Sequence, residues 1–174
     1  MLHLAISANW LYPVRMTQSE IRLVAATLEQ KPVVANLVQL YLYDMTESMP
    51  FPVGADGRFE YGFLDRFWCF PYLIYAGDEI AGFALVIDEC PLTGRQPCFF
   101  MAEFFILKPY RRRGAGQAAV AAALRAHPGD WHIAVPLANA AAMAFWSAAL
   151  SRHEPRRSAI NFDGDDWLLN AFVA

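Results

Sequence analysis

The sequence predicts an α/β fold, a mixed sheet with helices packed on its faces, and three observations carry that expectation. Of the 174 residues 56% are hydrophobic and only 18% charged, the balance of a sheet covered on both sides. β-favouring and helix-favouring runs succeed one another in the order β-α-(α)-β-β-β-α-β-α-β-β, with interleaved helices to cover the strands. Residues 98–126 join an apolar strand, a basic glycine turn and an alanine-rich helix in one stretch.

Residues 1–19 show no clear period and read as an N-terminal extension, leaving 20–174 as one domain, the simplest division for this length. Residues 21–28 read as the first strand. Pro32 suits a helix start, and Val33, Leu37, Leu40 and Tyr41 recur at helical spacing to about Glu47. Two prolines and a glycine make 48–56 a loop. The aromatic-rich run 59–70 is ambiguous, with a short helix expected around 62–68. The β-rich runs 72–76 and 79–88 flank Gly77-Asp78, a hairpin signal. A turn region at 91–97 precedes the long strand 98–107. His127-Pro128-Gly129 ends the next helix. Strand 131–135 and helix 139–150 follow, and 159–162 with 167–172 flank Asp163-Gly164 as a closing hairpin.

Composition excludes several classes. The net charge of −3 gives no overall bias toward nucleic acid or anionic membrane. Cys69, Cys90 and Cys98 are odd in number and show no repeated spacing, against a disulfide framework or zinc site. Free thiols suit a reducing cytoplasm, the expected location. The N-terminal residues lack a basic lead and a long apolar core, and no segment reaches the length of a membrane span. His127, His132 and His153 have no ligand spacing and read as structural or surface residues, so no metal is expected. Apolar residues in the extension and the C-terminal strands allow a homodimer without fixing one.

The chemistry concentrates at Glu103-Phe-Phe-Ile-Leu-Lys-Pro-Tyr-Arg-Arg-Arg-Gly-Ala-Gly-Gln117. A strand-to-helix junction of this kind exposes unpaired amides at the positive end of a helix. Gly114 and Gly116 permit positive φ or close approach, and Arg111, Arg112 and Arg113 add charge. The ligand such a junction suits is a phosphate or pyrophosphate, although a basic turn can also be merely solvated. Gly114-x-Gly116-x-x-Ala119 fits a relaxed dinucleotide fingerprint, but the next strand ends in Pro136-Leu137 without the acid that a ribose would require.

Arg111-x-x-Gly114-x-Gly116, directly after a hydrophobic strand, resembles the pyrophosphate loop of the GNAT superfamily of acyl-CoA N-acyltransferases. Asn139-x-x-Ala142-x-x-Phe145-Trp146-x-x-Ala149-Leu150 resembles that superfamily's later helix, and the two motifs cover about residues 100–150 in the right order. The wording around Glu103, Arg111–Gly114 and Phe145 further resembles a little-described branch of predicted acetyltransferases.

The resemblance implies a mostly antiparallel mixed sheet with one splayed strand pair, here 98–107 and 131–135, and acetyl-CoA as acyl donor between them. Its pantetheine arm would pair with the main chain at Phe105, Ile106 and Leu107 as an added strand. The pyrophosphate would meet Arg111, Arg112, Arg113, Gly114, Ala115, Gly116 and Gln117. Phe145 belongs to the same set. Asn139 would touch the arm or cap its helix. The implied reaction is direct acetyl transfer to a primary amine, a small molecule or peptide whose identity the sequence leaves open.

Such transfer needs a base, because a lysine-like ammonium has a pKa of about 10.4. It also needs a strand amide near Phe105 or Ile106 for the developing oxyanion. Glu103 is the candidate base, its carboxyl raised by the surrounding phenylalanines; the alternative is a strand carboxylate paired to an arginine or facing water. Tyr43, Asp44 and Glu47, with Tyr41, Tyr61 and Asp65 nearby, form the candidate acceptor site, since aromatic faces and carboxylates suit an amine. Trp146 stands where many relatives carry the tyrosine that protonates the departing sulfur, and an indole is not a usable acid. That departure supports a second reading, an acyl-CoA-binding module without catalysis.

Overall fold

The structure, a computed structural model, describes residues 20–174; the expected extension 1–19 lies outside the described residues. Seven strands form one sheet: β1 (Ile21–Ala25), β2 (Phe70–Ala76), β3 (Glu79–Ile87), β4 (Phe99–Ile106), β5 (Asp130–Pro136), β6 (Arg156–Phe162) and β7 (Asp165–Val173), in the spatial order β1-β2-β3-β4-β5-β7-β6. Three helices accompany them: α1 (Lys31–Met45), α2 (Ala115–Ala126) and α3 (Ala140–Ala149). Every neighbouring pair is antiparallel except β4 and β5. The mixed, mostly antiparallel sheet with covering helices is the architecture expected.

Strand alternation sends successive side chains to opposite faces. Leu73, Phe83, Leu85 and Phe105 meet Val34, Leu37, Val38 and Leu42 of α1 on one side. Ile74, Ala84, Val86, Met101 and Ile106 meet Ala119, Val120, Ala123 and Trp146 of α2 and α3 on the other. β3 is buried on both faces from Ala81 to Ile87, which explains its nearly continuous apolar run.

Two irregularities position the site. β4 and β5 pair in parallel only at Phe99↔Trp131 and Phe100↔His132, and beyond that the two strands part. At the point of parting, β4 carries an extra residue: Leu85 pairs with Glu103 but Val86 with Met101, so Ala102 is bulged. A bulge bends its strand and re-aims the side chains beyond it, here the stretch from Glu103 to Ile106.

Three expectations of local structure are corrected. The short helix expected at 62–68 is a single turn, closed by the Phe67 amide on the Phe63 carbonyl at 2.9 Å. Aromatic residues are weak helix formers and one turn is a costly nucleus, so the segment folds instead around the stacked rings of Phe63 and Phe67. The first strand ends at Ala25, and a 3-10 turn at Leu28–Gln30, where the Gln30 side chain accepts from the Thr27 amide, leads into α1. β6 begins at Arg156 rather than 159, because β7 extends to pair with it.

No helix of the described residues is long and apolar enough to cross a membrane. Among the same residues no group of three His, Cys, Asp or Glu side chains could hold a metal ion, and the three cysteines are free.

Candidate active site

The glycine turn after β4 is built from two unusual backbones. Arg112 has φ of 57° and Gly114, which caps α2, has φ of 83°. The first bond entering α2 runs from the Ala118 amide to the Gly114 carbonyl at 2.9 Å, so the amides of Ala115, Gly116 and Gln117 stand at the open N-terminus. The two glycines serve different ends. Gly114 supplies the left-handed conformation, with open space around its absent side chain. Gly116 supplies room: a Cβ there would stand 2.8 Å from Cε2 of Phe145.

Phe145, expected among the cofactor contacts, is thus wedged against the first turn of α2. It also stacks on Phe104 with ring centroids 5.6 Å apart and planes 14° from parallel. Trp146 closes this cluster, 5.3 Å from Phe104, and is buried in the core. The indole holds the sheet and α3 together, and its position offers no acid to the site.

The three arginines are not equivalent. The Arg111 Nε donates to the Ile106 carbonyl at 2.7 Å, its terminal nitrogen reaches Asp44 at 2.7 Å, and its guanidinium lies 5.3 Å from the centre of the Phe105 ring. Lys108 pairs with the same Asp44 at 3.1 Å. Burial of Asp44 opposes its ionisation, yet the hydrogen bonds and charges of Arg111 and Lys108 outweigh that and hold its carboxyl below the usual range. Asp44 therefore ties the last turn of α1 to the basic loop, whereas Tyr43 and Glu47, the other candidate acceptor residues, are exposed. Arg112 and Arg113 are exposed and carry no ion pair among the described residues.

The main chain of β4 faces the splay selectively. The Leu107 amide donates to Ala81 on the β3 side at 2.8 Å. Successive residues of a strand direct their amides and carbonyls to opposite edges. Phe105 and Leu107 are thereby turned toward β3, while Phe104 and Ile106 face the opening toward β5. Of the expected run Phe105, Ile106 and Leu107, Ile106 alone turns its main chain toward the opening, and Phe104 stands beside it with the same orientation. Asn139 caps α3, its side-chain oxygen accepting from the Ala142 amide at 2.9 Å, while Nδ2 lies 3.8 Å from Sδ of Met45. The head of α3 and the end of α1 thus meet across the mouth of the opening.

Glu103 lies on the α1 face, half-buried, and accepts a hydrogen bond from the Tyr61 hydroxyl at 2.8 Å. Burial raises its carboxyl from the usual 4.5 to about 7, against the opposing hydrogen bonds of Tyr61 and Tyr41. The raised value was expected, but its surroundings are different. Phe104 projects to the other face, and Phe99 and Phe100 lie at the far end of the strand, so two tyrosines from α1 and the aromatic loop form the immediate neighbours. Tyr110 is buried and donates to Glu79 at 2.7 Å, and His127 is held by Tyr72 within an aromatic cluster.

The model of the Acetyltransferase (GNAT) family matches residues 39–150, more than half of the chain. Solved structures agree in fold. An acetyltransferase of this family from Streptococcus agalactiae superposes with a TM-score of 0.65 at 13% identity, covering 88% of this chain and 95% of its own. RimL, a ribosomal L7/L12 alpha-N-protein acetyltransferase in complex with coenzyme A, gives 0.62 at 14%, covering 90% and 95%. Arabidopsis thaliana Naa50, bound to a bisubstrate analogue joining coenzyme A to an acetylated peptide, gives 0.54 at 17%, covering 87% and 97%. No curated protein sequence matches the chain.

Proposed function

We propose that this chain, which belongs to the GNAT acetyltransferase family, transfers the acetyl group of acetyl-CoA directly to a primary amine, with Glu103 as the base. The observation that carries the reading is the coincidence, on one bulged strand, of a half-buried carboxylate and a main chain opened by the splay. The amides of 112–117 offer donors to the pyrophosphate, with Arg112 and Arg113 supplying charge. Arg111 braces the loop from behind. A groove between α2 and α3, lined by Gly114, Gln117 and Arg152 among others, leads from the loop and suits the nucleotide end.

At the opening, the Ile106 amide is the donor best placed for the thioester oxygen as it gains charge. Glu103 takes the proton of the acceptor amine, the nitrogen bonds to the acetyl carbon, and the carbon–sulfur bond breaks. With Trp146 confined to the core, coenzyme A leaves as thiolate, which a thiol of pKa near 8.5 permits. The acceptor enters from the α1 side, past Tyr43 and Glu47; relatives acting on protein or peptide amines support that class. Cytoplasmic location, the 20–174 domain boundary and a homodimer belong to the same proposal.

Coenzyme A release is followed with acetyl-CoA and a panel of spermidine, tyramine and an N-terminal methionine peptide. Turnover with one of them, lost in Glu103→Gln, is the expected result. Tight acetyl-CoA binding without turnover on a broad amine panel would favour the non-catalytic module that Trp146 suggested.

A further inference from the structure

The aromatic loop between α1 and β2 holds one side chain that reaches Glu103, and the same side chain borders open space. Gln39 of α1 grips the loop by accepting from the Phe59 amide at 2.8 Å and donating to the Phe59 carbonyl at 3.1 Å. This two-point clamp fixes the chain just before Tyr61. The Tyr61 hydroxyl then donates to Oε1 of Glu103 at 2.8 Å. Tyr61 also lines a cavity of about 450 Å³ between α1 and the loop, with Ala35, Val38, Phe59 and Leu64 among its walls. That volume holds several waters, at about 30 Å³ each.

We infer that Tyr61 is a positioning residue and proton relay, orienting the Glu103 carboxylate and passing the proton taken from the acceptor amine to water in this cavity. The inference rests on Glu103 being the base. The step balances as follows. Glu103, protonated by the amine, donates its O–H to the Tyr61 oxygen, and Tyr61 releases its own proton to cavity water. The carboxylate is regenerated and the phenol stays neutral throughout. A phenolate never forms, in keeping with the burial that pushes the Tyr61 hydroxyl far above its usual value.

Every group facing Glu103 fits this assignment. From α1 it is Tyr41, whose hydroxyl also bears on the carboxylate but which packs against Phe83 and Phe105 and does not line the cavity. From β3 it is Leu85, the cross-strand partner. Arg111 lies across the Phe105 ring and is paired to Asp44. Asp56, Arg58 and Glu60 stand at the cavity's exposed wall.

The test separates orientation from relay. In protein labelled with 13C at glutamate carboxyls, the Glu103 signal titrates near pH 7. Tyr61→Phe and Tyr41→Phe each remove a donor to the anion, so each moves that midpoint up, by about one unit. With acetyl-CoA and the panel amine turned over fastest, Tyr61→Phe lowers the plateau rate at high pH about tenfold, a larger loss than Tyr41→Phe, which leaves the path to the cavity intact. A merely structural role of Tyr61 would depress the rate equally at all pH and leave the midpoint in place, overturning the inference. Equal plateau losses in both variants would overturn the relay. Ala35→Leu fills the water space and keeps both hydroxyls, and so serves if Tyr61→Phe unfolds. It lowers the plateau without moving the midpoint, and an unchanged plateau refutes the relay. Absence of turnover in the native protein would instead count against the proposed function, while the carboxyl titration still decides the orientation.

Discussion

The two flanks of β4 prepare for a ligand by different means. On the cofactor flank, regular elements present main chain: a strand opened by the splay, a turn with φ of 57° and 83°, and the bare N-terminus of α2. On the Glu103 flank, an irregular connection from 46 to 69 presents side chains, and Tyr61 is fixed by tertiary contacts, with the loop clamped by Gln39 of α1. Recognition by backbone needs only element geometry and tolerates changes of side chain. Recognition by side chain depends on what the fold brings together over long sequence distances, here 42 residues between Tyr61 and Glu103.

The largest expected effect breaks the side-chain flank. Glu103→Gln lowers kcat by about a hundredfold or more while the acetyl-CoA dissociation constant stays near native, because the proposed hold on that ligand is by main chain. In the native protein, activity falls as pH drops below about 7, where the carboxyl protonates. Stability follows the same titration. The folded carboxyl sits near 7 and the unfolded one near 4.5, so its contribution is fully present below about 4.5 and is lost as pH rises through 7. At pH 8 Glu103→Gln is accordingly the more stable protein by about 3 kcal/mol, and the advantage vanishes at pH 4. Thermal melts at the two pH values check both statements.

The backbone flank is sharpened by its two glycines. Gly116→Ala forces a Cβ against Phe145 and destabilises by about 2 kcal/mol, with a weaker hold on coenzyme A. Gly114→Ala meets no atom and is strained only in φ, at about 1 kcal/mol. Adding Phe145→Leu restores much of the first loss and none of the second. Melting temperatures and coenzyme A titrations of the four proteins distinguish packing from conformation.

The smallest effect lies where the two flanks join. Asp44→Asn releases Arg111 and Lys108 and lowers stability by about 0.5–1 kcal/mol, a difference that shrinks in high salt because these pairs are partly exposed. The Asp44 carboxyl is held below its unfolded value, so its contribution is present above the ordinary carboxylate range and lost as pH falls through the lowered one. Denaturant midpoints at two salt concentrations measure it.

This contrast also explains how much the sequence disclosed. The strand–glycine–helix junction, the order of the later elements and the capping role of Asn139 follow from propensity, periodicity and turn chemistry, so residues 99–150 were largely legible. Glu103 was identifiable as a carboxylate on an apolar strand. The fate of Asp44 was not, because its partners Lys108 and Arg111 lie more than sixty residues away and helix periodicity leaves an exposed acid free to bind an amine. The aromatic run 59–70 gave no period at all, since its rings are ordered by packing against α1 and the sheet. The bulge at Ala102 left no mark either, as neither glycine nor proline signals it.

The central claim is that main-chain donors on the splayed strand and at the start of α2 hold acetyl-CoA. Amide spectra of 15N-labelled protein titrated with coenzyme A test it most directly. The account predicts the largest displacements at Gly114, Ala115, Gly116 and Gln117, with Phe104 and Ile106 next and their neighbours on the β3 side little changed. Saturable binding that moves other amides and leaves these six in place would contradict it, as would no displacement at millimolar coenzyme A.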